Sequence, residues 1–581
     1  MSITCEFSSA IVALRRWLAA IGVFSGVVNV LALTGSIFML QVYDRVLTSR
    51  SIPTLVALAA IAIAFYFIQG ILDIARARLL VRLGSRLDQL LADRIYAASL
   101  ELPLRFNGID AQAQPVRDLD TVRAFLSGQG PVALMDIPWM PIYLAFVFIL
   151  HPWLGWLASA GALVLIVMAA STEFLSRRPA AKAQTFALKR HALAESGRRN
   201  AEVLRAMGFA HRIASQWQSV NATHLSAHQN ASDVSSSLGA AAKVFRMILQ
   251  SAMLALGAWL TILGEVSGGA IIASSIISSR ALAPVDTAIA QWKSFVAARG
   301  AKHRLAKLLS CVPAVVPPMP LPAPCKSLAL EAVSVTPPGS TAAAAQNVSF
   351  ALKAGDAMGL VGHSAAGKST LVRGIVGAWH VARGKIRLDG ASIDNWCPME
   401  LGRHIGYLPQ DVSLFEGSIA ENIARFEESA DPNSIVAAAK DAAVHEMILK
   451  LPQGYDTRVG EGGSMLSAGQ RQRIGLARAL FGSPFLVVLD EPNSNLDADG
   501  EAALTAAIES VRLRRGIVIV VAHRPSALAN VNLVGVMAGG TLQAFGPKAE
   551  ILRKTVAPGK GGSGPALQAM SSKPCHAGTN A

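Results

Sequence analysis

The residues with the clearest chemistry form one run, Gly362-His363-Ser364-Ala365-Ala366-Gly367-Lys368-Ser369, which fits the spacing GxxxxGK[ST]. Its glycines let backbone N–H groups approach phosphate oxygens, and a helix N-terminus behind them favours negative charge. Lys368 reaches the β- and γ-phosphates, Ser369 is suited to ligate Mg²⁺, and Thr370 continues the nucleotide contacts. Downstream, the apolar run Phe485-Leu486-Val487-Val488-Leu489 ends in Asp490 and Glu491. Asp490, at the end of a buried strand, suits a Mg²⁺ contact, direct or through water. Glu491, one residue on, can hold the attacking water as general base. Two acids after a strand can also merely cap a turn. Their company with the phosphate loop favours hydrolysis of a nucleoside triphosphate.

The elements that must position these groups are readable around them. An apolar strand, Ala357–Val361, precedes the loop and a helical run, Thr370–Gly377, follows it, which is the context a phosphate-binding loop requires. A further strand, Ile517–Ala522, leads to His523. A Pro-rich stretch, Val312–Pro324, breaks any helix upstream and marks a domain boundary, while the Gly-, Ser-, Lys- and Pro-rich tail from Ala557 is expected to be disordered.

Between the loop and the two acids lies Leu466-Ser467-Ala468-Gly469-Gln470-Arg471-Gln472-Arg473. This resembles the LSGGQ signature of the ABC ATPase superfamily. The resemblance implies that Ser467, Ala468, Gly469 and Gln470 of one subunit close over the γ-phosphate held by another, with the helix N-terminus assisting. Ala468 stands where the family has a second glycine and lacks glycine's freedom at positive φ. Gln410, after Tyr407-Leu408-Pro409, matches the family's glutamine loop, which contacts metal or water. Gly460-Glu461-Gly462-Gly463 resembles the exporter-specific segment, and Ser494-Asn495-Leu496-Asp497 matches the loop whose aspartate, Asp497, makes dimer contacts. Alone, His523 reads as a structural histidine at a strand end; in this order of motifs it matches the switch histidine that positions water and γ-phosphate. The aromatic residue that usually stacks on adenine is missing: the corresponding stretch is Val333-Ser334-Val335-Thr336-Pro337-Pro338-Gly339.

The N-terminal half is different in kind. Over 581 residues, 52% are hydrophobic and 16% charged, and the uncharged runs are concentrated in the first 280 positions. Six segments read as membrane spans: Ala20–Leu40, Thr54–Leu72, Val132–Leu150, Trp153–Ala170, Val244–Leu263 and a short, Ser-rich Gly268–Leu282. The net charge of +15 does not point to nucleic acid, because the arginines sit where cytoplasmic loops belong. Arg76 to Arg123 follow span two and Arg177 to Arg212 follow span four, which places those segments and both termini in the cytoplasm. Asp73–Leu102 and Ser176–Ala214 keep helical spacing, so the spans are expected to continue as amphipathic helices. The cysteines, Cys5, Cys311, Cys325, Cys397 and Cys575, form no metal-binding spacing and read as free thiols. No cleavable signal peptide is expected, since Arg15 and Arg16 precede a run long enough to span.

The membrane half also carries a resemblance. Met39-Leu40-Gln41-Val42-Tyr43-Asp44-Arg45-Val46-Leu47 looks like a segment of type I secretion ATPases. Asp136-Ile137-Pro138-Trp139-Met140-Pro141-Ile142-Tyr143, His151-Pro152-Trp153-Leu154-Gly155, Arg280–Val285 and Gln291-Trp292-Lys293 are similar to their protease/lipase-exporter branch. The plain alternative for each is packing: proline kinks, an interfacial tryptophan, an Asp–Arg pair at a helix end. The resemblance implies an all-α six-helix transmembrane domain of the ABC exporter type followed by an α/β P-loop ABC ATPase domain. The expected divisions are 1–19 as a cytoplasmic segment, 20–310 as the membrane domain, 311–325 as linker, 326–556 as ATPase and 557–581 as tail. It further implies ATP and Mg²⁺ as cofactors, a homodimer in the inner membrane among membrane lipid, a periplasmic membrane-fusion adaptor, an outer-membrane channel, and a secreted protein substrate with a C-terminal signal. The short segment before span one leaves no room for an N-terminal peptidase domain. Export of lipids or small amphiphiles is the alternative that shares the same ATPase.

Overall fold

The computed structural model describes residues 9, 12–106, 114–313, 319–494, 496, 498–522 and 528–556. The chain divides into two compact units, a helical one over residues 1–102 and 112–314 and an α/β one over residues 103–111 and 315–581.

The helical unit contains six stretches long and apolar enough to cross a membrane: Arg15–Ser49, Ile52–Arg105, Gly130–Leu150, Pro152–Arg199, Ala210–Ile262 and Gly268–Cys311. Four of them run 44 to 54 residues, well beyond the roughly 20 that a hydrocarbon core requires. The spans therefore continue as helices outside it, as their amphipathic spacing predicts. One expected continuation is broken, however. The helix from Pro152 ends at Arg199, a short helix covers Ala201–Ala206, and the next begins at Ala210. Gly208, at φ +69°, supplies the left-handed turn between them.

Prolines shape the third span. Between the helices Gly130–Asp136 and Met140–Leu150, residues Ile137–Trp139 tighten into a 3₁₀ turn, with Pro138 and Pro141 removing helix donors. The first span ends in a π-helical turn, Val42–Val46. That turn aims Asp44 at the start of the sixth span, where its carboxylate accepts from Ser267 Oγ (2.6 Å) and from Gly269 N (2.9 Å). A carboxylate suits the positive end of a helix. The Ser-rich sixth span is the most buried of the six. Its Ser274, Ser275 and Ser278 point inward, and the hydroxyls of Ser274 and Ser278 return to the carbonyls of Ile271 and Ser275, so its polarity costs little in the interior.

A polar knot joins spans one and three. Asn29 Nδ2 donates to Asp136 Oδ1 (2.7 Å), and Tyr143 Oη donates to the Asn29 carbonyl (2.7 Å) and to Asn29 Oδ1 (3.0 Å). Arg76 donates to Ser25 Oγ and lies 3.6 Å from Asp136 Oδ2. Toward the other end of the unit, Glu173 accepts from Trp292 Nε1 (2.6 Å) and from Arg299 (3.0 Å). His151 opens the helix from Pro152, its Nδ1 accepting from Trp153 N, and its Nε2 lies 3.2 Å from Glu265. These side chains thus make contacts between helices.

The α/β unit has two sheets. An antiparallel one orders β2 (Ala345–Lys353), β1 (Ser327–Val335), β4 (Val381–Leu388) and β5 (Ala391–Ser392). The other orders β10 (Thr541–Pro547), β9 (Leu533–Ala538), β3 (Ala357–Gly362), β8 (Ile517–Val521), β7 (Leu486–Asp490) and β6 (Ile405–Leu408), parallel except for β10. The central strands are apolar throughout because both faces are covered. Leu486, Val488, Ile517 and Ile519 enter the core shared with the antiparallel sheet, together with Leu328, Val333, Leu371 and Ile375. Val487, Leu489, Val518 and Val520 face the opposite core, with Ile419, Ile423, Ile448 and Ile474 of a helical layer.

Candidate functional site

The chemically apt residues converge at the carboxyl ends of the parallel strands, the edge at which open α/β sheets bind ligands. β3 runs into the phosphate loop, and the helix Lys368–Ile375 follows it. Gly367 has φ +89°, and a Cβ there would lie 2.2 Å from the Ala344 carbonyl. A Cβ on Gly362 would lie 2.2 Å from the Met537 carbonyl. Both glycines are therefore required by close backbone approach. His363, Ser364, Ala365 and Ala366 form the turn between them, with Ala365 at φ +64°. Lys368 is buried and folds back on the loop, its Nζ donating to the carbonyls of Gly362 (2.8 Å) and His363 (2.9 Å). Burial pushes its pKa down, against the opposing pull of the Glu491 and Asp490 carboxylates. Thr370 lies in the first turn of the helix.

β7 ends on Asp490, which is fully buried, and Ser369 Oγ donates to its Oδ1 at 3.0 Å. Asp490 Oδ2 is buried with no hydrogen-bond partner among the described residues. Burial raises the Asp490 pKa above the ordinary carboxylate value, the Ser369 hydrogen bond opposing it. A hydroxyl beside a carboxylate with one buried oxygen unpartnered is a donor set that fits a hard divalent cation. Glu491 follows with φ +51°, uncommon for a residue with a side chain, and its amide donates to the Val521 carbonyl at 3.1 Å. Gln410, two residues after β6, donates from Nε2 to Glu491 Oε2 at 3.2 Å. Four strand ends, β3, β8, β7 and β6, stand side by side here. His523, which follows β8, and Asp497 and Asn495 lie outside the described residues.

Ser467 caps the helix Ala468–Leu480. Its Oγ accepts from Gln470 N (3.2 Å), and the Gln470 side chain accepts from Ser467 N (2.9 Å), a reciprocal capping box. Ala468 is the first helical residue and is absent from the positive-φ positions, so its methyl imposes no backbone strain. Gly469 follows it in the first turn. Arg471 donates to the Leu466 carbonyl (2.7 Å) and to Gly463 (3.3 Å), bracing the Gly-rich turn before the cap. The stretch without an aromatic residue is accounted for in part: Val333 and Val335 are fully buried side chains of β1.

Gln472 was not singled out by sequence. It is 2% exposed and donates from Nε2 to the Pro492 carbonyl at 3.0 Å, tying the capped helix to the turn that carries Glu491. A glutamine on the buried face of an amphipathic helix is the signal that could have found it.

Residues 18–284 match the family model for the ABC transporter transmembrane region and residues 345–494 that for the ABC transporter. The type I secretion system ATP-binding protein PrsD of Rhizobium meliloti is 51% identical over 94% of this chain and 94% of its own length. The cyclolysin secretion/processing ATP-binding protein CyaB of Bordetella pertussis is 30% identical over 94% of this chain and 77% of its own length. In fold, the chain resembles a bacterial Atm1-family ABC exporter with ATP bound, at a TM-score of 0.75 and 22% identity, over 93% of this chain and 96% of that one. The chain belongs to the ABC transporter family, among its type I secretion ATP-binding members.

Proposed function

We propose that two copies of this chain form an ATP-driven exporter in the inner membrane of a Gram-negative cell, moving unfolded protein with a C-terminal signal. A periplasmic adaptor and an outer-membrane channel complete the path. The observation that carries the ATPase part is the placement of Lys368, Ser369, Asp490, Glu491 and Gln410 at adjacent strand ends, with Ser369 and Asp490 in direct contact. Lys368 and the amides from His363 to Thr370 hold the triphosphate. Ser369 and Asp490, with Gln410, are the residues that would hold Mg²⁺, which neutralises charge on the phosphates when bound. Glu491, held by Gln410, accepts the proton of the attacking water, and His523 orients water and γ-phosphate.

The chain's own signature residues, Ser467 to Gln470, serve the nucleotide of the partner, and Asp497 contributes to the same interface. This is why the active form is a dimer: each site is completed by the other copy. ATP draws the two ATPase domains together, and hydrolysis separates them. Arginines after spans two and four support a cytoplasmic ATPase and cytoplasmic termini.

Glu491→Gln tests the reading. The variant should bind ATP, trap a dimer detectable by size-exclusion chromatography, and lose turnover; normal turnover would remove Glu491 from the role of base. Export of protein is tested by deleting the gene and comparing culture supernatants. Loss of specific extracellular proteins is expected, whereas an unchanged set of secreted proteins with altered membrane lipid would favour the lipid alternative.

A further inference from the structure

The helix that carries Ser467 is held at its other end by one side chain that the mechanism above does not use. Arg425 follows the short helix Ile419–Ile423. A guanidinium has five N–H donors, and in Arg425 they meet five backbone oxygens. Nε donates to Arg478 O (3.1 Å), Nη1 to Gly402 O (2.6 Å) and Ile405 O (3.3 Å), and Nη2 to Ala479 O (3.4 Å) and Phe481 O (3.4 Å).

These oxygens belong to two segments that matter to the site. Arg478, Ala479 and Phe481 end the Ser467 helix. The last four carbonyls of a helix lack partners within it. Here Ala477 O is taken by Phe481 N and Leu480 O by Ser483 N. The remaining two, Arg478 O and Ala479 O, are taken by Arg425, whose charge also suits the negative helix end. Gly402 and Ile405 flank the start of β6, the strand that leads to Gln410. The two segments touch closely: a Cβ on Gly406 would lie 2.0 Å from Ala479 O. Arg425 and Phe426 both adopt left-handed backbone, at φ +56° and +60°, a conformation that side chains disfavour. Strained backbone persists where surrounding contacts over-determine it, and five hydrogen bonds to two stretches of chain do so. Arg478 adds a parallel link, donating to Ser413 O in the segment after Gln410.

We propose that Arg425 is a positioning residue for ATP hydrolysis: it locks the C-terminal end of the Ser467 helix to the start of the Gln410 strand, so that the groups serving the chain's own nucleotide and those serving the partner's keep one register. The inference rests on the ATPase reading above. Among the described residues, the hydrogen bonds of Arg425 go neither to the phosphate loop nor to Asp490, so it acts through placement and not through nucleotide contact.

The test uses the full-length protein in lipid nanodiscs, with three readouts: kcat for ATP, the dissociation constant of a fluorescent ATP analogue, and the unfolding midpoint. Arg425→Lys keeps the charge but not the fork, and cannot bridge both segments with five bonds. It should lower kcat about 5- to 20-fold while nucleotide affinity stays within about 2-fold, since misplacement of catalytic groups costs turnover before it costs binding. Gly406→Ala, which pushes the same two segments apart and leaves Arg425 in place, should show the same split. Arg425→Met should lose more turnover than Arg425→Lys; if the methionine variant does not fold, the other two decide. Wild-type turnover in Arg425→Lys, or equal losses of affinity and kcat, overturns the proposal. Absence of hydrolysis in the wild type would instead overturn the ATPase reading itself.

Discussion

Replacing Asp490 by asparagine should stabilise the nucleotide-free protein while abolishing its turnover. Asp490 is fully buried, its Oδ1 receives one hydrogen bond from Ser369, and its Oδ2 receives none among the described residues. A buried polar group without a partner costs about 1–3 kcal/mol, and more when charged. Asparagine retains an acceptor for Ser369 and removes the charge, but brings an amide that must itself be buried. The net gain is then about 1–2 kcal/mol near neutral pH, or roughly 2–8 °C in the unfolding midpoint of a domain of this size. The pH dependence has a definite sign. Burial raises the folded pKa of Asp490 above the ordinary carboxylate value. Its favourable contribution is complete below the unfolded pKa and is lost as pH rises through the folded one. The variant and the wild type should therefore match in acid and diverge toward neutral pH, with the variant higher. Saturating Mg²⁺ and ATP should reverse the order, because ligand at about 100 times its dissociation constant adds roughly 2.7 kcal/mol to a protein that binds it. The assay is thermal unfolding followed by tryptophan fluorescence, in chelator and then in Mg²⁺ and ATP, beside steady-state hydrolysis. A variant less stable than wild type in chelator at neutral pH, or a gap that does not change with pH, would refute the reasoning.

Gln472→Leu removes the hydrogen bond to the Pro492 carbonyl beside Glu491, a loss of about 1–3 kcal/mol. Turnover should fall about ten-fold with ATP affinity unchanged, which steady-state kinetics and a binding titration check. Ser467→Ala removes the capping box and should cost about 1 kcal/mol, lowering the midpoint of the nucleotide-free protein by roughly 2–4 °C. Tyr143→Phe deletes both hydrogen bonds to Asn29 within the spans. Its cost should stay near 0.6–1.7 kcal/mol, as for other hydrogen bonds between membrane helices, measured by unfolding in mixed detergent.

Chemistry that is local in the chain was legible from the residues alone. The phosphate loop declares itself within eight positions, Asp490 and Glu491 end a strand recognisable by its apolar run, and the spans stand out by length and lack of charge. The predicted strands and helix around the loop agree with the structure to within two residues. In each case the determining interactions lie along one strand, one helix or one turn, so spacing suffices. The exact place of the break between Arg199 and Ala210 was not legible, because one left-handed glycine, Gly208, decides the turn.

Residues whose partners are distant could be placed only by the tertiary structure. Asn29 meets Asp136 and Tyr143 across separations of 107 and 114 positions, and no local pattern pairs them. No local pattern marks Arg425 or Gly406; each matters because the end of a later helix comes to rest against it. The sixth span read as short and Ser-rich, and packing turns its Ser274 and Ser278 hydroxyls inward onto their own helix. Covalent neighbours set which chemistry is available and which segments are helix, strand or span. Which side chains lose water together depends on how those segments pack, and burial, charge and hydrogen bonding at long range follow from that alone.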